Sequence, residues 1–289
     1  MRDIAEKLGE FGYKTSYVTV GKILEELGYS KQQNQKMNQI GEPHPNRDNQ
    51  FRFIEAQVSE NINNGVPTIS IDCKKKENIG NFKNSGKEYR KKGDPRKTLD
   101  HDFQIKELGH VAPYGVYVMN DNTGFINLGT SSDTSEFAVE SIYRWWYSAG
   151  AKNFPDAKKL YITCDGGGSN GCRVRLWKYK LAELAEKTGL DIHVSHFPPG
   201  TSKWNKIEHR MFCYITKSWE GKPLIDIQTV VNLITGTRTK AGLKVNCVVD
   251  ENIYERGIKV SDEEMASIDI TPIGEFAQWN YAIHGFKQS

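Results

Sequence analysis

No stretch of this chain approaches the roughly 20 apolar residues of a membrane helix, and its opening, Met1-Arg2-Asp3-Ile4-Ala5-Glu6, lacks the apolar core of a secretory leader. Cysteine is scarce: five residues, at positions 73, 164, 172, 213 and 247, with no C-x-x-C pair. That argues against the common zinc frames and a disulfide scaffold, and reads as a cytosolic protein with free thiols and no membrane partner. No Ser/His/Asp or Cys/His grouping supports nucleophilic hydrolysis. Internal repeats are lacking as well. The net charge of +3 says little by itself about partners.

What is present is unevenly spread. Residues 74–97 hold ten basic side chains (Lys74, Lys75, Lys76, Lys83, Lys87, Arg90, Lys91, Lys92, Arg96 and Lys97) against Glu77, Glu88 and Asp94. So compact a positive segment on a near-neutral chain points to a local polyanion contact; the plain alternative is a solvated loop.

Periodicity gives an outline. Residues 2–10 and 15–27 read as two helices around Gly12, the second capped by Thr15 or Ser16 and closed by Gly28. Helix, Gly-containing turn, helix is the outline of a helix-turn-helix, expected over 1–29, and an ordinary packed helix pair fits the same pattern. A polar, Pro-punctuated linker follows over 30–50, and residues 51–61 read as a helix. Strands are expected over 67–72, 115–119, 124–129, 159–165 and 191–197, and helices over 134–149, 174–187 and 204–219. Asn120-Asp121-Asn122-Thr123 marks a hairpin between the second and third strands. That β-β-β-α-β-α-β-α order is the order of a ribonuclease-H-like α/β mixed sheet, expected over 51–220 with a basic insertion at 74–112. Residues 221–289 read as an extension, a further helix and short strands, that the pattern does not place.

Cutting or transferring a phosphodiester calls for divalent ions clamping the attacking and leaving oxygens, and magnesium prefers carboxylate oxygen. Asp72 ends the first expected strand, Asp165 the fourth, and Glu208 lies in the helix after the last. Each has a local explanation: a strand-end turn for Asp72, a Gly-rich turn for Asp165, and a capping partner of Asn205 for Glu208. Against the last, Glu208 shares a stripe with Trp204, Phe212, Ile215 and Trp219, where a lone carboxylate is costly without a cation. Three acids at these points together favour a metal site. Asn205, His196 and His209 are candidates to support the acids, and His193 and His196 read as sharing one strand face. Gly166, Gly168 and Gly171 spell G-x-G-x-x-G, with Asp191 twenty residues on. In a dinucleotide fold, however, the ribose-binding acid ends the next strand, whereas Asp191 begins it.

Three longer blocks carry a resemblance. Asp72-Cys73-Lys74-Lys75-Lys76-Glu77 with Gly80-Asn81-Phe82-Lys83-Asn84 is the first. Asp165-Gly166-Gly167-Gly168-Ser169-Asn170-Gly171 is the second, and His196-Phe197-Pro198-Pro199-Gly200-Thr201-Ser202-Lys203-Trp204-Asn205-Lys206-Ile207-Glu208-His209-Arg210 the third. All three resemble the catalytic blocks of Rhodopirellula-type DDE transposases of bacterial insertion sequences, over about residues 2–284. The resemblance implies Asp72, Asp165 and Glu208 as catalytic metal ligands for two Mg²⁺ or Mn²⁺ ions. It implies cleavage at element ends followed by attack of the freed 3′-hydroxyl on target DNA. Expected DNA contacts are Lys74, Lys75, Lys76, Lys83, Lys91, Lys92, Lys203 and Lys206. A homodimer or higher assembly on DNA, in a bacterial nucleoid-associated setting, goes with that reading. Family members carry more helix ahead of the position of Met1, so the helix-turn-helix is expected to be partial. Two alternatives stay open: a ribonuclease-H-like nuclease without strand transfer, and a decayed transposase that only binds DNA.

Overall fold

A computed structural model describes residues 1–30 and 44–288. Most of the stretch expected as a linker lies outside the described residues. The chain divides into two units, the first ending at Pro43 and the second beginning at His44.

In the first unit, α1 (Arg2–Glu10) and α2 (Tyr17–Glu26) flank a turn in which Gly12 takes φ +88°. The hydroxyl of Ser16 caps α2 by accepting from the Thr19 amide at 3.1 Å. Of the apolar residues on the two helices, Val20 is buried, while Ile4, Val18 and Ile23 are exposed.

The second unit opens with α3 (Arg47–Asn63), which starts four residues ahead of the expected helix. Then come β1 (Thr68–Cys73), the short β2 (Glu77–Asn78), β3 (His110–Val118) and β4 (Thr123–Gly129). β3 and β4 form the expected hairpin, with Asn122 in the left-handed region at φ +58°. After α4 (Ser135–Trp145), a π-helical turn (Trp146–Gly150) and α5 (Ala151–Asn153), the chain alternates β5 (Lys159–Cys164), α6 (Arg175–Thr188) and β6 (Asp191–His196). A second π-helical turn (Glu208–Phe212) leads into α7 (Cys213–Trp219). The remainder is α8 (Ile227–Thr235), β7 (Lys244–Asp250), α9 (Asp262–Ser267), β8 (Ile268–Pro272) and β9 (Asn280–Phe286).

The strands form one mixed sheet in the order β7-β4-β3-β1-β5-β6-β9-β8, with β2 beside β3. β1, β3 and β4 pair antiparallel, whereas β5 and β6 follow β1 in parallel. This is the ribonuclease-H-like arrangement. The residues after 220 extend it at both edges, β7 lying parallel to β4 and β9 antiparallel to β6.

Period-two alternation divides β3 between two cores. Ala112, Tyr114, Val116 and Val118 join α4 and α6 on one face, while Val111 and Tyr117 join α7 and α8 on the other. The edge strand β7 is pinned by Asp250, a fully buried carboxylate. It accepts from Arg144 Nη2 at 3.1 Å, Asn127 Nδ2 at 2.9 Å and Tyr254 Oη at 2.7 Å, so its charge is matched rather than stranded. A reciprocal amide pair, Gln50 with Asn280, holds α3 against the β6 end, with Gln50 Nε2 also donating to the His196 carbonyl at 2.9 Å.

Apart from β2, the basic segment is anchored coil. Ile79 and Phe82 are buried, and the Gly221 amide donates to the Ser85 carbonyl at 2.7 Å.

Candidate active site

Neighbouring parallel strands bring Asp72 and Asp165 together. In the β1–β5 register Ser70 stands beside Thr163, and two residues further along each chain lie the two aspartates. Side chains on a strand alternate, so with Ile69 and Ile71 committed to the first core, Ser70 and Asp72 face the other side. Both aspartates line one open cavity of about 690 Å³ whose wall includes Gly166–Gly168, Arg173 and Pro198–Gly200.

Glu208 reaches this neighbourhood by a different device. The segment ahead of it is stitched to β1 by Asn205, which is fully buried. Asn205 Oδ1 accepts from Ser70 Oγ at 2.5 Å, and its Nδ2 donates to the Ile71 carbonyl at 3.0 Å. Ser70 Oγ in turn accepts from the Ile207 amide at 3.1 Å. Glu208 opens the second π-helical turn, an irregularity common at functional positions. That turn seats against the sheet at Gly115, the residue opposite Asp72. A Cβ at Gly115 would meet Phe212, Ile207 and Met211 at 2.6–2.8 Å, so only glycine permits the approach. Glu208 is not on the cavity wall, although its charge acts on both aspartates. Among the described residues no three His, Cys, Asp or Glu side chains are already arranged as a metal-binding group.

The electrostatics are those of crowded, poorly hydrated acids. Burial, then the charges of Asp165, Glu208 and Asp133, push Asp72 up to about 7, opposed by the Cys73 amide donating to Oδ1 at 2.8 Å. Burial and Glu208 push Asp165 up to about 6, with Asn205 working the other way. One carboxylate oxygen of Asp165, Oδ1, is buried without a hydrogen-bond partner among the described residues. Hard oxygen donors, mutual repulsion and an unpartnered buried oxygen are what a divalent cation would satisfy, so these residues fit one.

The cavity holds a further carboxylate that the sequence reading passes over. Asp133 lines it, and its Oδ1 is also buried without a partner among the described residues. In sequence it stands just ahead of Thr134, the N-cap of α4, and there looks like ordinary helix-start chemistry.

The supporting residues separate. His196 lies behind Asp165, its Nδ1 2.9 Å from the Asp165 carbonyl. His193 lies three residues earlier on β6 and therefore on the opposite face, which corrects the expectation of a shared one. His209 is exposed and contacts the Lys203 carbonyl six residues earlier, rather than the acids. Asp191, the acid of the dinucleotide-like spacing, is paired with His284 at 2.7 Å.

Among the lysines, Lys74 is engaged: its ammonium is 2.8 Å from Glu77 and 4.5 Å from the Trp219 ring centroid. Lys76 is half-buried. Lys75, Lys83, Lys91, Lys92, Lys203 and Lys206 are exposed.

Comparison with curated proteins returned no significant sequence match. Among solved structures, a Mos1 transposase paired-end complex with the left transposon end matches with a TM-score of 0.49 and 12% identity, covering 79% of this chain and 63% of that one. A pre-cleavage Mos1 transpososome matches with a TM-score of 0.48 and 12% identity over 79% and 64% of the two chains. The mariner Mos1 paired-end complex with Mg gives 0.48 and 12% over 79% and 63%. The chain thus spans less than two thirds of the length of those chains. The family model described as the Rhodopirellula transposase DDE domain matches residues 1–285, and the chain belongs to that family.

Proposed function

We propose that this chain is the catalytic part of a transposase that cuts DNA at the ends of an insertion sequence and joins the freed 3′-hydroxyl to target DNA. The observation that carries the reading is the pairing of Asp72 and Asp165 across adjacent parallel strand ends in one open cavity, with Glu208, off the cavity wall, near enough for its charge to act on both. Asp72, Asp165 and Glu208 would hold two divalent ions, which when bound polarise the scissile phosphate and activate the attacking oxygen. Glu208 enters from the π-helical turn, clamped to β1 by the Ser70–Asn205 pair. His196 keeps the Asp165 main chain in place. The exposed lysines attract the phosphate backbone from either side of the cavity. DNA ends and target are the partners, engaged by a homodimer or larger assembly.

The test is a product assay with labelled duplexes carrying the element's own ends, in Mg²⁺ or Mn²⁺. Cleavage and joined product are expected from the native chain, and neither from Asp72→Ala, Asp165→Ala or Glu208→Ala. Cleavage without joined product would support a nuclease in place of a transposase. DNA binding with no cleavage would leave a DNA-binding protein only.

A further inference from the structure

Beside the acid cavity runs a second groove, of about 500 Å³, between α3 and the segment after β6. The two share a wall. Pro198, Pro199, Gly200 and Ser202 face the acids, whereas Phe197, Trp204 and Lys206 face the groove. Phe51, Phe197 and Trp204 line it, and one of these rings is open. Trp204 is 50% exposed, unusual for an indole held by tertiary contacts, and stands edge-on to Phe51 at 6.3 Å. Phe51 packs on the buried Phe197 at 5.9 Å, so the platform rests on the core.

Cations surround it. Lys203 Nζ lies 5.5 Å from the Trp204 centroid and the Arg47 guanidinium carbon 5.9 Å from that of Phe51. Lys206 lines the groove, with Glu55 as its acidic member. Arg47 Nε is buried without a hydrogen-bond partner among the described residues. An open indole beside one unpartnered guanidinium donor and two nearby ammonium groups matches a nucleotide: a flat π-face for the ring, a phosphate for the cations.

We propose that this groove takes one unpaired nucleobase of the DNA strand being cut, stacked on Trp204, with its phosphate toward Arg47 and Lys206. The proposal rests on the DNA-cleavage reading, because the shared wall places an occupant next to the scissile phosphate. A base in duplex DNA is already stacked on both faces, so the groove selects an unpaired one. Lys203, now over the indole, would give way to the base and turn to the backbone.

The experiment uses the full chain in EDTA, where binding is separate from cleavage, and fluorescently labelled DNA of two kinds: a blunt duplex, and the same duplex with a three-nucleotide unpaired end. Native protein is expected to prefer the unpaired end by roughly tenfold, the value of about one stacked base. Trp204→Ala should remove that preference while Trp204→Phe keeps most of it, both holding their affinity for the blunt duplex. Should Trp204→Ala fail to fold, 2-aminopurine in the unpaired end reports directly, since stacking on the native indole quenches it and Trp204→Phe alters that quenching. Equal affinity of native protein for both DNAs, or 2-aminopurine emission unchanged on binding, would overturn the platform and leave the cleavage reading standing. No affinity for either DNA would overturn both. A Trp204→Ala variant that keeps the preference but changes oligomeric state would assign the groove to a chain–chain contact instead.

Discussion

His196 holds the main chain of Asp165 from behind: its Nδ1 lies 2.9 Å from the Asp165 carbonyl and its Nε2 2.9 Å from the Tyr281 hydroxyl. A carbonyl only accepts, so Nδ1 carries the proton and Nε2 accepts from Tyr281, which accepts in turn from Trp177 Nε1 at 2.9 Å. Burial pushes the ring down to about 4, keeping that neutral tautomer. His196→Ala should cost roughly 1–3 kcal/mol in denaturant unfolding, because it strands buried polar groups. Tyr281→Phe should cost about 1 kcal/mol, and the double variant less than the two together. The pH sign follows: the unfolded ring takes its proton near 6.5 and the folded one near 4, so this contribution is intact above 6.5 and lost as pH falls towards 4. The stability gap between native chain and variant should narrow across that window.

Asp72 gives the opposite sign. With its folded value raised to about 7, the protonated form is favoured in the fold, and stability from this group is lost as pH rises through 7. In EDTA at pH 8, Asp72→Asn should therefore melt higher than the native chain, by roughly 2–4 °C for each kcal/mol of burial and repulsion penalty removed. The advantage should shrink as pH falls from 7 and vanish only below the ordinary carboxylate value of 3.8. Adding Mn²⁺ should raise the native Tm at pH 8 and leave that of the variant nearly unchanged. A native chain as stable as the variant in EDTA at pH 8 would show that neither burial nor the neighbouring acids penalise the Asp72 charge.

The strand ends that carry these aspartates are legible in the sequence, and in the fold their separation of 93 positions equals the register offset of β1 against β5, as Ser70 beside Thr163 shows. Local signals also carry the hairpin at Asn122 and the Ser16 cap. What escapes is non-local. β7, Lys-Val-Asn-Cys-Val-Val-Asp, pairs with a strand some 120 residues earlier, and nothing in its own alternation names that partner. The role of Gly115 is invisible until Phe212 and Ile207 come to lie over it. Asp133 is masked by a neighbouring N-cap, and only the fold turns it towards Asp72.

That masked residue can be examined directly. Asp133 lines the acid cavity with a buried, unpartnered oxygen, and its charge helps to raise Asp72. Asp133→Asn keeps the shape and removes the charge. Mn²⁺ affinity, followed by calorimetry, should fall by about 10-fold, the lower end for residues that support a metal site. The same change should lower the pH at which Asp72 titrates. Unaltered Mn²⁺ affinity would confine Asp133 to its position at the start of α4.

The basic segment divides into exposed lysines and one that holds the fold. Lys75, Lys83, Lys91 and Lys92 are exposed, whereas Lys74 is tied to Glu77 and sits over Trp219. For each of the four that contacts a phosphate, alanine should reduce the slope of log affinity against log salt by roughly 0.9, without altering unfolding. Lys74→Ala should do the reverse. Its ammonium is half-buried between a carboxylate and an indole face, and its loss leaves Glu77 unpaired beside β3. A destabilisation of about 1–2 kcal/mol is expected from the ion pair and ring contact together, with the salt slope unchanged. Binding titrations at several salt concentrations, paired with denaturant melts of the same variants, separate the two groups. A slope unmoved by all four exposed substitutions would mean that DNA passes the other side of the cavity, by Lys203 and Lys206.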